Sequence, residues 1–190
     1  MKEIVTVSEI SYKVKDKIII NNISFSISTS NIFALLGENG SGKSTLIDLM
    51  FNDLKANSGH TLFFGKYKVN FKNIGVLYDH LPLFPLLRVK EIIQYFSTIH
   101  KLEYKNIEKE YFEIFKIKAI TSRFIKELSQ GERKRIGLLL AIIHKPSLLI
   151  LDEPFANLDP TIISRIWKIL KQDNRTIFLT THNWKDVEKI

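Results

Sequence analysis

The residues from Gly37 to Ser44 have the types and the spacing of a loop that binds phosphate groups. They match the pattern G-x-x-x-x-G-K-[ST] at every defined position. Glycines let successive backbone N–H groups turn towards one anion without side-chain clashes. Lys43 would reach the β- and γ-phosphates of a nucleoside triphosphate, and the Ser44 hydroxyl would bind Mg²⁺. The residues that we predict to contact nucleotide here are Gly37, Asn39, Gly40, Ser41, Gly42, Lys43, Ser44 and Thr45.

The segments on both sides of this loop fit the same interpretation. An apolar run, Ile32–Leu36, leads into the loop, and a run with helical character, Thr45–Met50, leads out of it. A helix in that position directs the positive end of its dipole at the phosphates. A glycine-rich turn before an ordinary helix is the alternative, but the strand–loop–helix context favours phosphate binding.

A second set of reactive side chains follows two apolar runs later in the chain. Asp152 and Glu153 come directly after Leu148–Leu151, and His182 lies just past Thr176–Leu179. The carboxyl ends of buried parallel strands face the ligand crevice of an open α/β sheet. There Asp152 would give the second Mg²⁺ contact, usually through water. Glu153 would polarise an attacking water as general base, and His182 would hydrogen-bond the γ-phosphate and orient that water. An acidic pair at a strand end is also often a helix cap or a solvated turn, but the phosphate-loop pattern in the same chain favours chemistry.

The elements that must position these residues predict an α/β fold. Residues 1–36 read as a β-rich start, with a turn at Asn21–Asn22 and with Tyr12 just after the first strand. Residues Val89–Lys118 carry apolar side chains at helical spacing, and Ser129 begins another helical pattern. Tyr12 would stack on a purine ring, or it is an ordinary half-buried tyrosine.

Composition and charge exclude several classes of protein. The chain of 190 residues fits one domain, and the absence of cysteine excludes disulfides and thiolate zinc sites. No apolar run approaches the length of a membrane-spanning helix, so we expect a soluble chain. The net charge of +8 would suit an anionic partner. Because the basic residues are scattered, and because the densest group, Arg133–Arg135, lies in a predicted helix, we expect no nucleic-acid partner.

The five residues Leu128–Glu132 resemble the LSGGQ signature motif of the ATP-binding cassette (ABC) ATPases. The other motifs of that family stand in the same order, and the resemblance covers nearly the whole chain. They are Tyr12 as the A-loop aromatic residue, the phosphate loop at 37–44, the helical segment, the signature, the acidic strand at 148–153, Asn157-Leu158-Asp159 as the D-loop, and His182 as the switch histidine.

The resemblance implies a P-loop NTPase fold of the ABC type in a single domain over residues 1–190. Residues of about 1–78 and 146–190 would form the nucleotide-binding core, with a mixed or parallel sheet and an N-terminal antiparallel β-subdomain. Residues of about 79–145 would form a helical subdomain that carries the signature.

The resemblance also implies a mechanism with ATP and Mg²⁺. Two cassettes would pack head to tail and share each ATP. Ser129 and Gly131 of one cassette would meet the γ-phosphate held by the other, with Asp159 close to the nucleotide. Hydrolysis through Glu153, with Lys43 and His182 as the other catalytic residues, would reopen the dimer.

The implied partners are an integral membrane permease on a separate chain and a second cassette, identical or different. The chain would then lie on the cytoplasmic face of the membrane, and the short single cassette favours export. The alternative is a non-transport ABC ATPase that acts on nucleic acid or ribosomes; such proteins insert long coiled coils or carry two cassettes. A regulatory cassette that hydrolyses ATP slowly is a third possibility.

Three departures from the family pattern matter. The Q-loop glutamine falls at Asp79, whose carboxylate would contact Mg²⁺ but adds negative charge beside the phosphates. We therefore expect an altered Mg²⁺ dependence or a weaker coupling to the membrane partner. Gln130 and Glu132 replace a glycine and a glutamine of the common signature. The chain ends at residue 190, soon after His182, which predicts either a short cassette or a fragment.

Overall fold

The structure is a computed structural model that describes residues 2–81 and 83–188, so residues 1, 82, 189 and 190 of the predicted domain lie outside it. The strands are β1 (Glu3–Val14), β2 (Lys17–Ser28), β3 (Ile32–Leu36), β4 (Ser58–Phe63), β5 (Ile74–Leu77), β6 (Leu148–Asp152) and β7 (Thr176–Thr181). The α-helices are α1 (Lys43–Phe51), α2 (Val89–Ile99), α3 (Tyr104–Tyr111), α4 (Gln130–Ile142), α5 (Pro160–Leu170) and α6 (Trp184–Val187). Short 3-10 turns lie at Phe71–Asn73, Lys118–Ile120, Ile125–Glu127 and Gln172–Asn174.

A four-stranded parallel sheet in the order β3-β7-β6-β5 positions the predicted site. The phosphate loop follows β3, Asp152 ends β6, and His182 follows β7. Because all four strands run in the same direction, these residues meet at one edge of the sheet. The predicted α/β class is confirmed.

The parallel sheet is buried on both faces, and its side chains alternate between two hydrophobic cores. In β6, Leu149 and Leu151 pack with the helices α2 to α5, whereas Leu148 and Ile150 pack with α1 and the N-terminal strands. This alternation is the two-residue period of a strand. It explains why the β6 sequence is a continuous apolar run rather than an alternating one.

A second, antiparallel sheet in the order β2-β1-β4 covers one of these cores. The predicted turn at Asn21–Asn22 is wrong, because β2 runs straight through these residues and the chain turns at residues 15–16 instead. Between the pairs Ile10–Ile23 and Tyr12–Ile20 the register slips by one residue, and Asn22 has a φ of 49°. The asparagines therefore form a β-bulge. Tyr12 consequently lies within β1 and not after it.

The predicted helical segment at Val89–Lys118 contains α2 and α3, and the helical pattern predicted from Ser129 forms α4. These helices pack with α5 on the other face of the parallel sheet. The helix α5 begins as its sequence predicts, with Asp159 as cap and Pro160 at the first position. The division at residues 79–145 stays a prediction. No helix in the described part of the chain is both long enough and apolar enough to cross a membrane.

A pair of histidines beside β5 predicts how stability depends on pH. The His144 and His100 rings stack with their centroids 4.2 Å apart, and the Nε2 of His144 lies 3.3 Å from the Ile74 carbonyl oxygen. Burial, followed by the charge of His100, lowers the pKa of His144 from 6.5 to about 4. Between these two values the unfolded chain binds the proton that the folded chain does not, so stability is lost as the pH falls through this window.

We expect the melting temperature to fall less in His144→Gln than in the wild type over this range, and a variant of the exposed His80, His80→Gln, to follow the wild type. Parallel curves for all three proteins would contradict the prediction.

Candidate active site

The loop that begins at Gly37 joins β3 to α1, whose first residues are Lys43 and Ser44, in a conformation that needs glycine. Gly42 precedes α1 with a φ of 96°, and a Cβ at this position would lie 3.0 Å from the Ile20 side chain and 3.2 Å from the Ile19 carbonyl oxygen. No side chain caps the N-terminus of α1. Its first N–H groups therefore point into the loop, where an anion would be their partner.

A cavity of about 380 Å³, here called the loop cavity, opens above this loop. Predicted nucleotide-binding, metal-binding and catalytic residues line it together: Asn39, Gly40, Gly42, Lys43, Ser44, Thr45, Asp79 and Glu153. The other two predicted loop residues, Gly37 and Ser41, lie against each other, since a Cβ on Gly37 would be 2.8 Å from the Ser41 Oγ.

Lys43 links the phosphate loop to the acidic strand. Its Nζ donates to the carbonyl oxygens of Gly37 (2.7 Å) and Glu38 (3.0 Å), and it lies 3.2 Å from the Glu153 Oε1. Both side chains of the ion pair are almost fully buried. An ammonium held by uncharged carbonyls and one carboxylate is well placed to exchange those partners for phosphate oxygens.

Glu153 also contacts the predicted switch histidine. The His182 Nδ1 lies 2.9 Å from the Glu153 Oε2 and donates to it, while the other oxygen faces Lys43. Glu153 has a φ of 46°, a left-handed conformation that is uncommon for a residue other than glycine. Its N–H donates to the Thr180 carbonyl oxygen at 3.2 Å, which helps to hold this conformation. Strained backbone of this kind concentrates at functional sites.

Asp152 is buried at the end of β6, where the Thr180 hydroxyl donates to its Oδ1. Its backbone carbonyl oxygen lies 3.5 Å from the Nζ of Lys134, a residue of α4. The same ammonium forms an ion pair of 2.9 Å with Asp79, the predicted Q-loop residue. Asp79 thus contacts a cation of its own chain, and its role towards Mg²⁺ stays a prediction.

The signature residues cap α4 and do not line the loop cavity. The Ser129 Oγ accepts from the Glu132 N–H at 3.2 Å, and the Glu132 Oε2 accepts from the Ser129 N–H at 2.8 Å, which is a capping box. Partial burial would raise the pKa of Glu132, but the bonds from Ser129 and the charges of Arg123 and Arg135 outweigh it and lower the pKa. Glu132 in place of the common glutamine therefore serves as a charged cap.

The signature also touches the predicted D-loop of the same chain. A Cβ on Gly131 would lie 2.5 Å from the Asn157 carbonyl oxygen, so the contact requires glycine, and the Asn157 Nδ2 donates to the Gln130 Oε1 at 3.2 Å. Asp159 caps α5 by accepting from the Thr161 N–H at 2.8 Å. That hydrogen bond lowers the pKa of Asp159. Contacts of Ser129, Gly131 and Asp159 with nucleotide stay predictions.

Tyr12 lies one strand away from the phosphate loop. It pairs across the sheet with Ile20, and Ile20 borders Gly42. Its ring is half-buried against the core under the antiparallel sheet. This placement is compatible with both sequence interpretations, a base-stacking residue and an ordinary core tyrosine.

Sequence reasoning missed two polar residues of the site. Thr180 supports both acidic residues, and the signal for it is a hydroxyl residue near the end of an apolar strand. From sequence alone, Lys134 is only one residue of the basic first part of a predicted helix. Its position four residues before the buried Leu138 puts it on the buried face of α4, and this spacing could have identified it.

Comparisons with known proteins bear on this site. A family model described as ABC transporter matches residues 20–156. The ABC transporter G family member 23 of Dictyostelium discoideum is 32% identical over 177 residues, which cover 86% of this chain and 25% of that protein. The chain thus spans about a quarter of the length of this relative.

A shorter relative matches over most of its length. The ergothioneine transport ATP-binding protein EgtV of Helicobacter pylori (strain G27) is 28% identical over 202 residues, which cover 100% of this chain and 95% of that protein. Among solved structures, one described as the ATP binding subunit of an ABC transporter has a TM-score of 0.84 at 22% identity, over 98% of this chain and 82% of that one. At this identity, the likeness to the solved structure shows only that the two chains share a fold.

Proposed function

Because the chain belongs to the ABC transporter family, we propose that it is the subunit that binds and hydrolyses ATP for a transporter whose membrane-spanning part is a separate chain. The observation that carries this proposal is the cluster of Lys43, Glu153 and His182. It joins the phosphate loop to the ends of two parallel strands through contacts of 3.2 and 2.9 Å. A cation for phosphate, a carboxylate base and an orienting histidine are groups that can promote hydrolysis of a phosphoanhydride.

The contacts of this cluster suggest the order of events when ATP binds. Lys43 exchanges the carbonyl oxygens of Gly37 and Glu38 for phosphate oxygens. The Oε1 of Glu153 then loses its cationic neighbour and accepts a proton from the attacking water. His182 keeps the other carboxylate oxygen fixed, so the base stays oriented during this exchange.

The oxygen donors at the loop cavity fit Mg²⁺. Those that line the cavity and are predicted to bind the cation are the exposed Ser44 hydroxyl and the Asp79 carboxylate. The Asp152 carboxylate lies buried at the end of β6, next to Glu153 in the chain. Mg²⁺ is usually held by one or two carboxylates together with substrate phosphates rather than by a full protein cage. Within residues 2–81 and 83–188 no group of three or more His, Cys, Asp or Glu forms such a cage. When bound, the cation would neutralise charge on the phosphates.

We propose that a second cassette completes each site. Ser129 is exposed at the N-terminus of α4, and its hydroxyl hydrogen remains able to donate while its oxygen caps the helix. A helix N-terminus with such a donor suits the γ-phosphate held by another chain. ATP would then close the dimer, and hydrolysis would open it.

An apolar groove between β5 and the helices α2 and α4 is the proposed contact with the membrane partner. Its volume is about 400 Å³. The wall includes Val76, Leu81, Phe84, Phe96, Ile99 and Leu140. Phe84 and Ile99 are 54% and 55% exposed, which is unusual for large apolar side chains clustered at one groove. We propose that a cytoplasmic amphipathic helix of the permease occupies it.

The name of one relative supports a role in transport. EgtV is called a transport ATP-binding protein and is matched over 95% of its length. We propose by analogy that this chain works on the cytoplasmic face of a membrane, and that the direction is export. The competing function, an ABC ATPase that acts on ribosomes or nucleic acid, is distinguished by the partner.

Partner capture tests the proposal. A tagged Glu153→Gln chain is trapped with Mg-ATP in membranes of the host, and we expect a polytopic membrane protein to co-purify in stoichiometric amount. Adding Phe84→Asp should abolish this capture, because it puts a charge into the apolar groove. Adding Tyr67→Asp, at an exposed residue outside the groove, should not. Capture of ribosomes, or of nucleic acid that survives high salt, would refute the transporter function, and a co-purified extracytoplasmic binding protein would contradict export.

A further inference from the structure

The ion pair between Asp79 and Lys134 joins two segments that are far apart in the sequence. The Lys134 Nζ lies 2.9 Å from the Asp79 Oδ1, and the lysine side chain is only 6% exposed whereas that of the aspartate is 41% exposed. Lys134 belongs to the signature helix α4, and Asp79 follows β5. The pair therefore joins the start of α4 to the carboxyl end of β5, an edge strand of the parallel sheet.

The Lys134 ammonium has a second contact that also ties α4 to the end of a strand. It lies 3.5 Å from the carbonyl oxygen of Asp152, at the end of β6. The Nζ of Lys134 thus contacts both the residue that follows the end of β5 and the last residue of β6. A buried ammonium is costly unless it is paired, and Asp79 is the charged group that pairs with it.

Asp79 faces the nucleotide site from this position. It lines the loop cavity together with Lys43 and Ser44. It also lines a cavity of about 520 Å³ together with Glu153 and His182. An unpaired carboxylate at the wall shared by both cavities would repel the phosphates of ATP.

We infer that Lys134 is a positioning residue that cancels the charge of Asp79 and holds this carboxylate at the edge of the phosphate-binding cavity. The inference rests on the proposed function, because it requires ATP phosphates in the loop cavity. It extends that function by making ATP affinity depend on a residue of the signature helix of the same chain.

The test is a charge cycle read by nucleotide binding and by thermal unfolding. A fluorescent ATP analogue is titrated in EDTA into the wild type, Asp79→Gln, Lys134→Gln and the double variant. Lys134→Gln leaves Asp79 unpaired, and we expect affinity to fall about tenfold. The double variant is neutral again, and we expect its affinity to return to within about twofold of the wild type. Asp79→Gln alone should melt several degrees lower, because it leaves the buried ammonium unpaired.

The matched control is Lys145→Gln, which removes one positive charge from the exposed pair that Lys145 forms with Glu110. Its affinity should equal that of the wild type. Equal affinity in Lys134→Gln and the wild type, or a double variant that binds no better than Lys134→Gln, would overturn the inference. If Lys134→Gln does not fold, Asp79→Gln must bind severalfold more tightly than the double variant, and equal affinities overturn the inference. A wild type that binds no nucleotide would overturn the proposed function as well, whereas normal wild-type binding with a flat series overturns this inference alone.

Discussion

A Glu153→Gln variant is expected to lose ATP turnover by at least about 100-fold, the lower end of what a general base contributes. The amide has nearly the same size as the carboxylate and still accepts the hydrogen bond from the His182 Nδ1, but it cannot accept a proton from water. It also removes the ion pair of 3.2 Å with Lys43. The ammonium is then more available to phosphates, so ATP binding should be as tight as in the wild type or tighter.

The measurement combines single-turnover phosphate release with titration of ATP under the same conditions. Glu110→Gln is the matched control, because it removes a carboxylate from an exposed ion pair that does not line the loop cavity. Its turnover should be normal. Turnover above half of the wild-type value in Glu153→Gln would exclude Glu153 as the base. Loss of binding together with turnover would instead indicate a structural role for the pair with Lys43.

The convergence of Lys43, Glu153 and His182 follows from sequence patterns of long range. Each residue lies after an apolar run that forms a parallel strand, and parallel strands bring their carboxyl ends to one edge. The resemblance to the ABC family, now confirmed, adds the order of the motifs. These signals depend on strand type and chain order, and so they do not require knowledge of individual contacts.

Features that depend on tertiary contacts could not be predicted in this way. The pair Asn21–Asn22 has a strong local preference for a turn, but the pairing of β1 with β2 continues past it and accommodates the extra residue as a bulge. Lys134 is a common helix residue in sequence, and its partner Asp79 lies 55 positions away. Register and the choice of a distant partner are set by packing, which local propensity does not contain.

Ser129 does not line the loop cavity of its own chain. This separation predicts a large effect on ATPase activity when two inactive variants are mixed. If each site combines the phosphate loop of one chain with the signature of another, Ser129→Arg and Lys43→Ala inactivate different halves of a site. In a mixed dimer one site carries both changes and the other is intact. Random pairing makes half of the dimers mixed, so mixing two inactive variants should restore roughly a quarter of wild-type ATPase activity.

The control distinguishes shared sites from simple stabilisation by mixing. Lys43→Ala and Glu153→Gln lie in the same half of a site, so every site of their mixed dimer contains one defect and no activity should return. Loss of the Ser129 cap alone costs about 1 kcal/mol, which a melting curve of Ser129→Arg measures separately. Because α4 presents Ser129 to solvent while Lys43 and Glu153 are buried together, we expect rescue only in the first mixture. Equal recovery in both mixtures, or recovery in neither, would refute a site shared between two copies of this chain.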